Sequence, residues 1–211
     1  MHRPKWNLKI VTEPTAEPIT TAEAKAHLRV DIADDDTLIA ALVKAARRWC
    51  EEATNRAFVT QTWDLRLDHF PGWGSWRGPY ADLASVEILV PISPLASVTS
   101  ITYVDTDGTS QTLATAKYTV DSASEPARIV PAYGESWPDT RDVPNAVTVR
   151  FVAGYGAATA VPERIKAAIK LMVASLYENR EPVNIGNIVT PIEFTLSALL
   201  AQDTVRSPYS F

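Results

Sequence analysis

The sequence predicts an α+β protein: a small helical bundle built from both ends of the chain, with an inserted antiparallel β module that is sandwich- or barrel-like. Two observations predict this class. Apolar residues recur at three- and four-residue spacing near both termini, whereas two-residue alternation and frequent turn residues occupy the middle. The composition is that of a globular protein, since 46% of the 211 residues are hydrophobic and 21% are charged.

The first helix is predicted to begin at a capping box. Thr20 can accept a bond from the amide of Glu23, whose carboxylate can reach back, and Ile19 and Ala24 stand where a hydrophobic staple would pack. This short helix should end near Leu28.

The longest helix is predicted over residues 36–54. The three aspartates at 34–36 suit a helix start, where carboxylates complement the helix dipole, and Asn55 suits a helix end. One stripe at three- and four-residue spacing is expected to face the core of the bundle: Leu38, Ala41, Leu42, Ala45, Trp49 and Ala53.

Strands are predicted from the point where the period changes to two, at Val59 to Leu67. Asp105 to Gly108 reads as a hairpin turn. Further short strands are expected near residues 86–90, 98–104, 111–113, 118–120, 128–130 and 146–152.

Helix returns after Pro162, a residue that suits the first helical turn. Its predicted apolar stripe comprises Ile165, Ala168, Ile169, Met172, Val173 and Leu176, and a last short helix is expected over 192–201. The predicted domains are a discontinuous bundle (19–57 and 160–202), a β module (58–157), an N-terminal arm (1–18) and a C-terminal arm (203–211).

Composition excludes several functional classes. The net charge of −5 argues against a general nucleic-acid binder, which needs a basic surface. A single cysteine, Cys50, excludes a disulfide framework. No apolar run reaches the length of a membrane helix, and the first residues do not resemble a secretory signal, so we expect a soluble protein made in the cytosol, with no membrane partner.

No catalytic, metal or cofactor site is predicted. His2, His27 and His69 lack the spacing of metal ligands, and Cys50 is expected to be a buried small residue. The aspartates at 34–36 lack the glycine and glutamate of a calcium loop. Glycine-rich phosphate loops and nucleophile elbows do not occur either, so the chain is expected to bind rather than catalyse.

Two apolar features lie outside the predicted core. The loop aromatics Trp73, Trp76, Tyr80, Tyr133 and Trp137 could be interaction hot spots or could cover the sheet. The tail carries Val205, Tyr209 and Phe211, so it is either frayed or docked into a groove of another chain.

In its order of segments the chain resembles the head–tail connector proteins of tailed bacteriophages and gene transfer agents, also called adaptor or head-completion proteins, in their longer branch with an inserted β module. The segments that carry this resemblance are Ile19–Asp31, Asp34–Ile39, Ala45–Arg56, Gln61–Leu65, Pro94–Tyr103, Arg128–Pro138, Val149–Gly156 and Tyr177–Arg180.

The resemblance implies a structural, non-enzymatic virion protein that forms a ring of identical subunits, dodecameric in this expectation, beneath the portal. Such a ring extends the DNA channel, through which the genome passes without specific binding, and offers a platform to a stopper or tail-completion protein. The protein would be found in the virion neck and, during assembly, in the host cytoplasm.

The expected contacts follow from the same resemblance. The portal-binding arm would use Val205, Tyr209 and Phe211, and the loop contacts would use Trp73, Trp76, Tyr133 and Trp137. The ring interface would use Leu38, Leu42, Trp49, Leu176 and Tyr177.

Three alternatives remain open from the sequence, and the least specific of them is a plain soluble oligomer. The chain could be another neck component, a stopper or a tail-completion protein, which would bind the adaptor ring rather than the portal. A non-catalytic carbohydrate-binding β module is the second alternative, since it too would carry aromatic loops on a sandwich.

Overall fold

A computed structural model describes residues 6–72, 86–179, 196 and 198–205, which fall into two compact units. Of the described residues, the helical unit combines 14–60 with 155–179, 196 and 198–205, and the β unit combines 6–13 with 61–72 and 86–154. The predicted α+β class is confirmed, because the chain enters the β unit after its second helix and returns to helix afterwards.

The helical unit contains α1 (Thr21–Leu28), α2 (Asp36–Thr54) and α3 (Glu163–Glu178), and residues 196 and 198–200 are also helical. Its core is one continuous apolar cluster, to which each of these helices contributes. The buried members are Ile19, Ala24, Ile39, Val43, Ala46, Cys50, Phe58, Val59, Val161, Ile165, Ala168, Ile169, Val173, Leu196 and Leu200.

Both predicted helix ends that depend on a particular side chain are confirmed. Thr20 caps α1, since its hydroxyl accepts from the Glu23 amide at 3.1 Å while a Glu23 carboxylate oxygen accepts from the Thr20 amide at 2.7 Å. Asn55 ends α2 in the left-handed conformation, with φ 53°, which asparagine tolerates better than most residues.

The predicted core face of α2 is wrong by one position. The buried apolar residues are Ile39, Val43, Ala46 and Cys50. The residues of the predicted stripe, Leu38 among them, lie on the neighbouring face of the helix. One residue corresponds to about 100° of rotation about a helix. The buried face also carries Arg47, Glu51 and Thr54, and these polar residues hid its periodicity from a count of apolar positions.

The β unit contains eight described strands in two antiparallel sheets. The larger sheet has the order β1-β2-β8-β4-β5 and the smaller one the order β3-β7-β6. The strands are β1 (Trp6–Thr12), β2 (Gln61–Leu67), β3 (Ile88–Val90), β4 (Leu95–Val104), β5 (Ser110–Thr112), β6 (Tyr118–Asp121), β7 (Ala127–Pro131) and β8 (Val147–Ala153).

Strand β1 was not predicted. The sequence places residues 1–18 in an N-terminal arm, but Trp6–Thr12 pairs with β2 along the edge of the larger sheet. The alternation of Trp6, Leu8 and Ile10 with Asn7 and Lys9 is typical of a strand, but the pairing partners lie at least fifty residues away, so only the tertiary structure shows which strand β1 joins. The residues after it, Ile19 included, contribute to the helical unit.

The two faces of the larger sheet differ in polarity. Leu65, Ile101 and Val149 form a buried cross-strand row, as expected from the alternation in β2. In β2 the residues of the opposite parity are polar, and Asp64 pairs there with Arg150 of β8. The predicted hairpin turn between β4 and β5 is also present, with φ 88° at Gly108.

Candidate functional site

The outward face of α2 is an apolar surface that the helical unit leaves partly uncovered. Leu38 is 39% exposed, Ala41 and Ala45 are exposed, and Leu42 and Trp49 are partly buried at the edge of the core. Because α2 is apolar on two adjacent faces and its own unit buries only one, the other face is available to a partner. This outward face contains three of the residues expected in a ring interface.

The other two expected interface residues lie at the end of α3. Leu176 and Tyr177 are partly buried, and the Tyr177 hydroxyl donates a hydrogen bond to the carboxylate of Asp35 at the start of α2. Tyr177 therefore also serves its own subunit, joining the C-terminal end of α3 to the N-terminal end of α2.

The aspartates at the start of α2 have structural roles, as expected, but these roles differ from the predicted capping of the helix. Asp35 occupies the N-cap position but its side chain makes no capping bond. Its carboxylate receives the Tyr177 hydroxyl, and Asp36 forms an ion pair with Lys25 of α1. These carboxylates therefore tie three helices together.

Val205 is not available to a portal, which corrects one expected arm residue. The side chain is 5% exposed, and the Val205 amide donates to the carbonyl of Thr54 at 2.9 Å. Its burial reflects docking onto the end of α2, which a tail sequence without periodicity does not reveal. The other two expected arm residues, Tyr209 and Phe211, lie outside the described residues.

Two of the expected loop aromatics differ sharply in exposure. Tyr133 is fully exposed, whereas Trp137 stacks on Phe70 with ring centroids 4.9 Å apart and donates its indole N–H to the carbonyl of Val86. Phe70 and Trp137 also line a cavity of about 600 Å³. Trp137 therefore covers the sheet, while Trp73, Trp76 and Tyr80 lie outside the described residues.

Cys50 has the expected structural role. Its side chain is fully buried in the helical core, and burial raises the pKa of its thiol to about 12, so the reactive thiolate is suppressed. His69 contacts the neighbouring Phe70 carbonyl, and His2 lies outside the described residues. Within the described part of the chain no three His, Cys, Asp or Glu residues are grouped as metal ligands.

The polar face of the larger sheet is organised around one carboxylate that the sequence did not single out. Asp64 is 3% exposed and accepts two hydrogen bonds from the Arg150 guanidinium, at 2.8 and 2.9 Å. These bonds, together with the nearby charges of Arg66 and Lys9, hold the pKa of Asp64 below its usual value. The two-residue alternation places Asp64 and Arg150 on the polar faces of their strands. Only the strand register shows that the two residues lie opposite each other.

None of the described helices is long and apolar enough to cross a membrane. A comparison with curated proteins found no match. Residues 18–73, which contain α1, α2 and β2, match the family described as "Phage gp6-like head-tail connector protein".

Similar solved structures extend this likeness over nearly the whole chain. A chain of the neck of an empty GTA particle, computed with C6 symmetry, is 25% identical with a TM-score of 0.71, and the alignment covers 97% of this chain and 98% of that one. A chain of the virion of a native gene transfer agent (GTA) particle is 26% identical with a TM-score of 0.70, over 96% and 98%. A chain of the native GTA neck, computed with C12 symmetry, is 25% identical with a TM-score of 0.69, over 97% and 98%.

Together the fold and these matches define a structural protein of the virion neck. Within that class the chain is similar to the head–tail connectors of phages and gene transfer agents, and the resemblance that the sequence predicted is confirmed.

Proposed function

We propose that the protein assembles into a twelve-membered ring beneath the portal of a DNA-filled head, extends the DNA channel and provides the platform for tail attachment. The observation that carries this proposal is the likeness over 97% of the chain to a neck protein computed with C12 symmetry. The net charge of −5 supports passage of DNA without specific binding, because an acidic wall repels phosphates.

The ring contact is proposed to involve the outward face of α2. A head-to-tail contact between identical subunits closes into a ring when its rotation closes, and it places two different patches of the subunit against each other. Leu38, Leu42 and Trp49 supply an apolar patch, with Leu176 and Tyr177 as further contacts. In this arrangement each subunit covers apolar surface that its neighbour leaves exposed.

Leu38→Glu tests the ring contact. The residue is exposed in the subunit, so the variant should fold with an unchanged thermal midpoint, but it should no longer form rings on portal-bearing heads, because a buried unpaired carboxylate is strongly unfavourable. Lys44→Glu introduces a carboxylate on the same helix, on a different exposed face, and should assemble normally. Normal rings from Leu38→Glu, seen by electron microscopy, would rule out this interface.

The portal contact is proposed to use the residues after Val205, with Tyr209 and Phe211 as apolar anchors. Deletion of residues 206–211 should leave a folded subunit, because Val205 and the helical residues before it, which pack into the helical unit, are retained. The truncated protein should fail to sediment with tailless heads. Sedimentation at the level of the intact chain would refute the arm.

The choice between a connector and a stopper or tail-completion protein can be tested directly. Purified portal rings alone should retain the intact chain in a pull-down. Retention only by portal rings already loaded with another neck protein would favour the stopper or tail-completion role, and in the virion the connector should lie between portal and tail.

A further inference from the structure

Ile32 is the most exposed large apolar side chain that the structure describes in the helical unit. It is 60% exposed in the connection between α1 and α2, whereas Leu38, the second most exposed, is 39% exposed. A single exposed apolar residue is common on soluble proteins, so exposure alone does not identify a contact. The backbone and the charges on either side of Ile32 distinguish it from such a residue.

The connection that carries this isoleucine is held on both sides. Before it, the Val30 amide donates to the Lys25 carbonyl at 3.1 Å, and after it Asp36 forms an ion pair with Lys25 at 2.5 Å. The carboxylate of Asp35 accepts the Tyr177 hydroxyl, which joins the same connection to the end of α3. A segment that is already fixed loses little conformational entropy on binding, so the exposed side chain is well placed to dock on a partner.

The isoleucine also lies between two exposed carboxylates, those of Asp31 and Asp34. The residues from 29 to 36 include one arginine and four aspartates, so this connection is acidic. Asp31, Ile32 and Asp34 are called the acidic corner from here on. An apolar side chain with negative charges at its rim complements an apolar surface that is bordered by a cation.

The outward face of α2 provides such a surface. Leu42 and Trp49 are partly buried at its centre, Ala45 is exposed between them, and Arg48 is an exposed cation next to Trp49. Glu52 is exposed one turn after Arg48, so an acidic partner is favoured over the middle turns of the helix rather than at its C-terminal end.

The acidic corner and this face are separate surfaces of one subunit. The corner precedes the first residue of α2, whereas Arg48 and Trp49 lie about 18–20 Å along the helix at the usual rise. A head-to-tail contact between identical subunits requires two different patches of this kind. The partner that fits both patches is therefore a second copy of this chain.

We propose that the acidic corner of each subunit docks on the outward face of α2 of the next subunit, with Ile32 against Leu42 and Trp49. Asp34 then faces Arg48 across the contact. This inference rests on the proposed ring and names the second patch of its contact. Burial of the isoleucine removes apolar area from water, and the opposite charges set the register between the two subunits.

Exchange of the two charges tests the contact. Asp34→Lys and Arg48→Glu should each require about tenfold more protein for half-maximal ring occupancy on portal-bearing heads, because like charges then face each other. The double variant Asp34→Lys/Arg48→Glu should recover assembly to within about threefold of the unaltered chain, because opposite charges face each other again. Electron microscopy of the heads measures the occupancy.

The controls separate the contact from subunit stability. Lys44→Glu makes the same charge change one turn earlier on α2 and should assemble normally. The double variant carries the stability effects of both substitutions, so its recovery cannot come from a more stable subunit. Normal assembly of both single variants, or no recovery in the double variant, overturns the pairing of Asp34 with Arg48.

Photo-crosslinking in the full chain tests the position of Ile32 independently of charge. With a photoreactive residue in place of Ile32, irradiated rings should yield adducts of twice the subunit mass, joined to residues 42–49 of a second copy. The same photoreactive residue in place of Thr106, which is exposed in the turn between β4 and β5, should give no adduct with α2. Adducts from position 32 at any other site, or none, overturn the docking of the acidic corner.

The two proposals fail in different ways. If the unaltered chain forms no rings on portal-bearing heads, the proposed ring is refuted and this contact with it. If rings form while the charge exchange recovers nothing and position 32 gives no adduct with α2, the ring stands and only the role of the acidic corner is refuted.

Discussion

Arg47 is fully buried in the helical unit, which is unusual for arginine. Its guanidinium donates to Glu17 at 2.7 Å and to Glu51, whose other carboxylate oxygen accepts from the Phe58 amide at 2.8 Å. Glu17 precedes α1 and Phe58 follows α2, so a single buried network joins three parts of the chain. The charge of Arg47 is retained because both neighbours are anionic.

Arg47→Ala should lower the free energy of unfolding by about 3–5 kcal/mol, because it removes the buried guanidinium that pairs with the carboxylates of Glu17 and Glu51. Urea denaturation of the purified subunit would measure the effect. Lys44→Ala, on an exposed position of the same helix, should change stability by less than about 0.5 kcal/mol. Equal stability of the two variants would show that the network contributes nothing.

The lowered pKa of Asp64 predicts how the free energy of unfolding depends on pH. Its folded-state pKa lies below the value of about 3.9 for an unfolded aspartate, chiefly because Arg150 donates to the charged form. The stabilisation is therefore complete above that value and is lost as the pH falls through the lower, folded-state pKa.

Asp64→Asn should unfold at lower urea concentration than the unaltered chain at pH 7, and its stability should decline less steeply between about pH 5 and pH 2. Asp142→Asn, at an exposed position, should keep the original pH profile. An unchanged slope in the Asp64 variant would contradict the assignment. Urea unfolding curves at four or five pH values would measure this slope for each variant.

The capping box of α1 can be predicted from four consecutive residues, because its hydrogen bonds involve only residues within one helical turn. The bonds between Thr20 and Glu23 need only the geometry of a helix start, and they hold the pKa of Glu23 below its usual value. The bounds of α2, its left-handed Asn55 and the Gly108 turn were predicted on the same grounds. Each depends on residues within one or two turns of chain.

Thr20→Ala should destabilise the helical unit by about 1 kcal/mol, because an amide at the start of α1 loses its acceptor. Thr20→Asp should restore most of this loss, since aspartate is also a good N-cap residue. Thermal unfolding of the three proteins measures both. A Thr20→Ala variant as stable as the unaltered chain would show that α1 is held by packing alone.

The outward face of α2 shows where local patterns fail. The helix has apolar residues on two adjacent faces, and counting them cannot decide which face the monomer buries. The choice depends on α3 and the residues near Phe58, which supply the opposing surface of the core. The stripe that the sequence predicts as core is thereby left exposed or only partly buried, as the proposed ring contact requires.

A connector that joins heads to tails should be indispensable to the particle. Particles made without this polypeptide should contain portal-bearing heads but no attached tails, and their packaged DNA should be lost or become sensitive to nuclease. Electron microscopy and DNA protection assays measure the two effects separately. Tailed particles with a protected genome would refute the proposed role.

Short-range patterns in the sequence were sufficient for the α+β class, the helix ends, most strands and the absence of a recognisable catalytic motif, because these depend on neighbouring residues and on periodicity. Tertiary contacts alone decided that β1 joins the sheet, that Val205 docks onto α2, and which face of α2 is buried. Those outcomes depend on partners distant in the chain, and the free energy of such contacts is set by register and packing, which no local window contains.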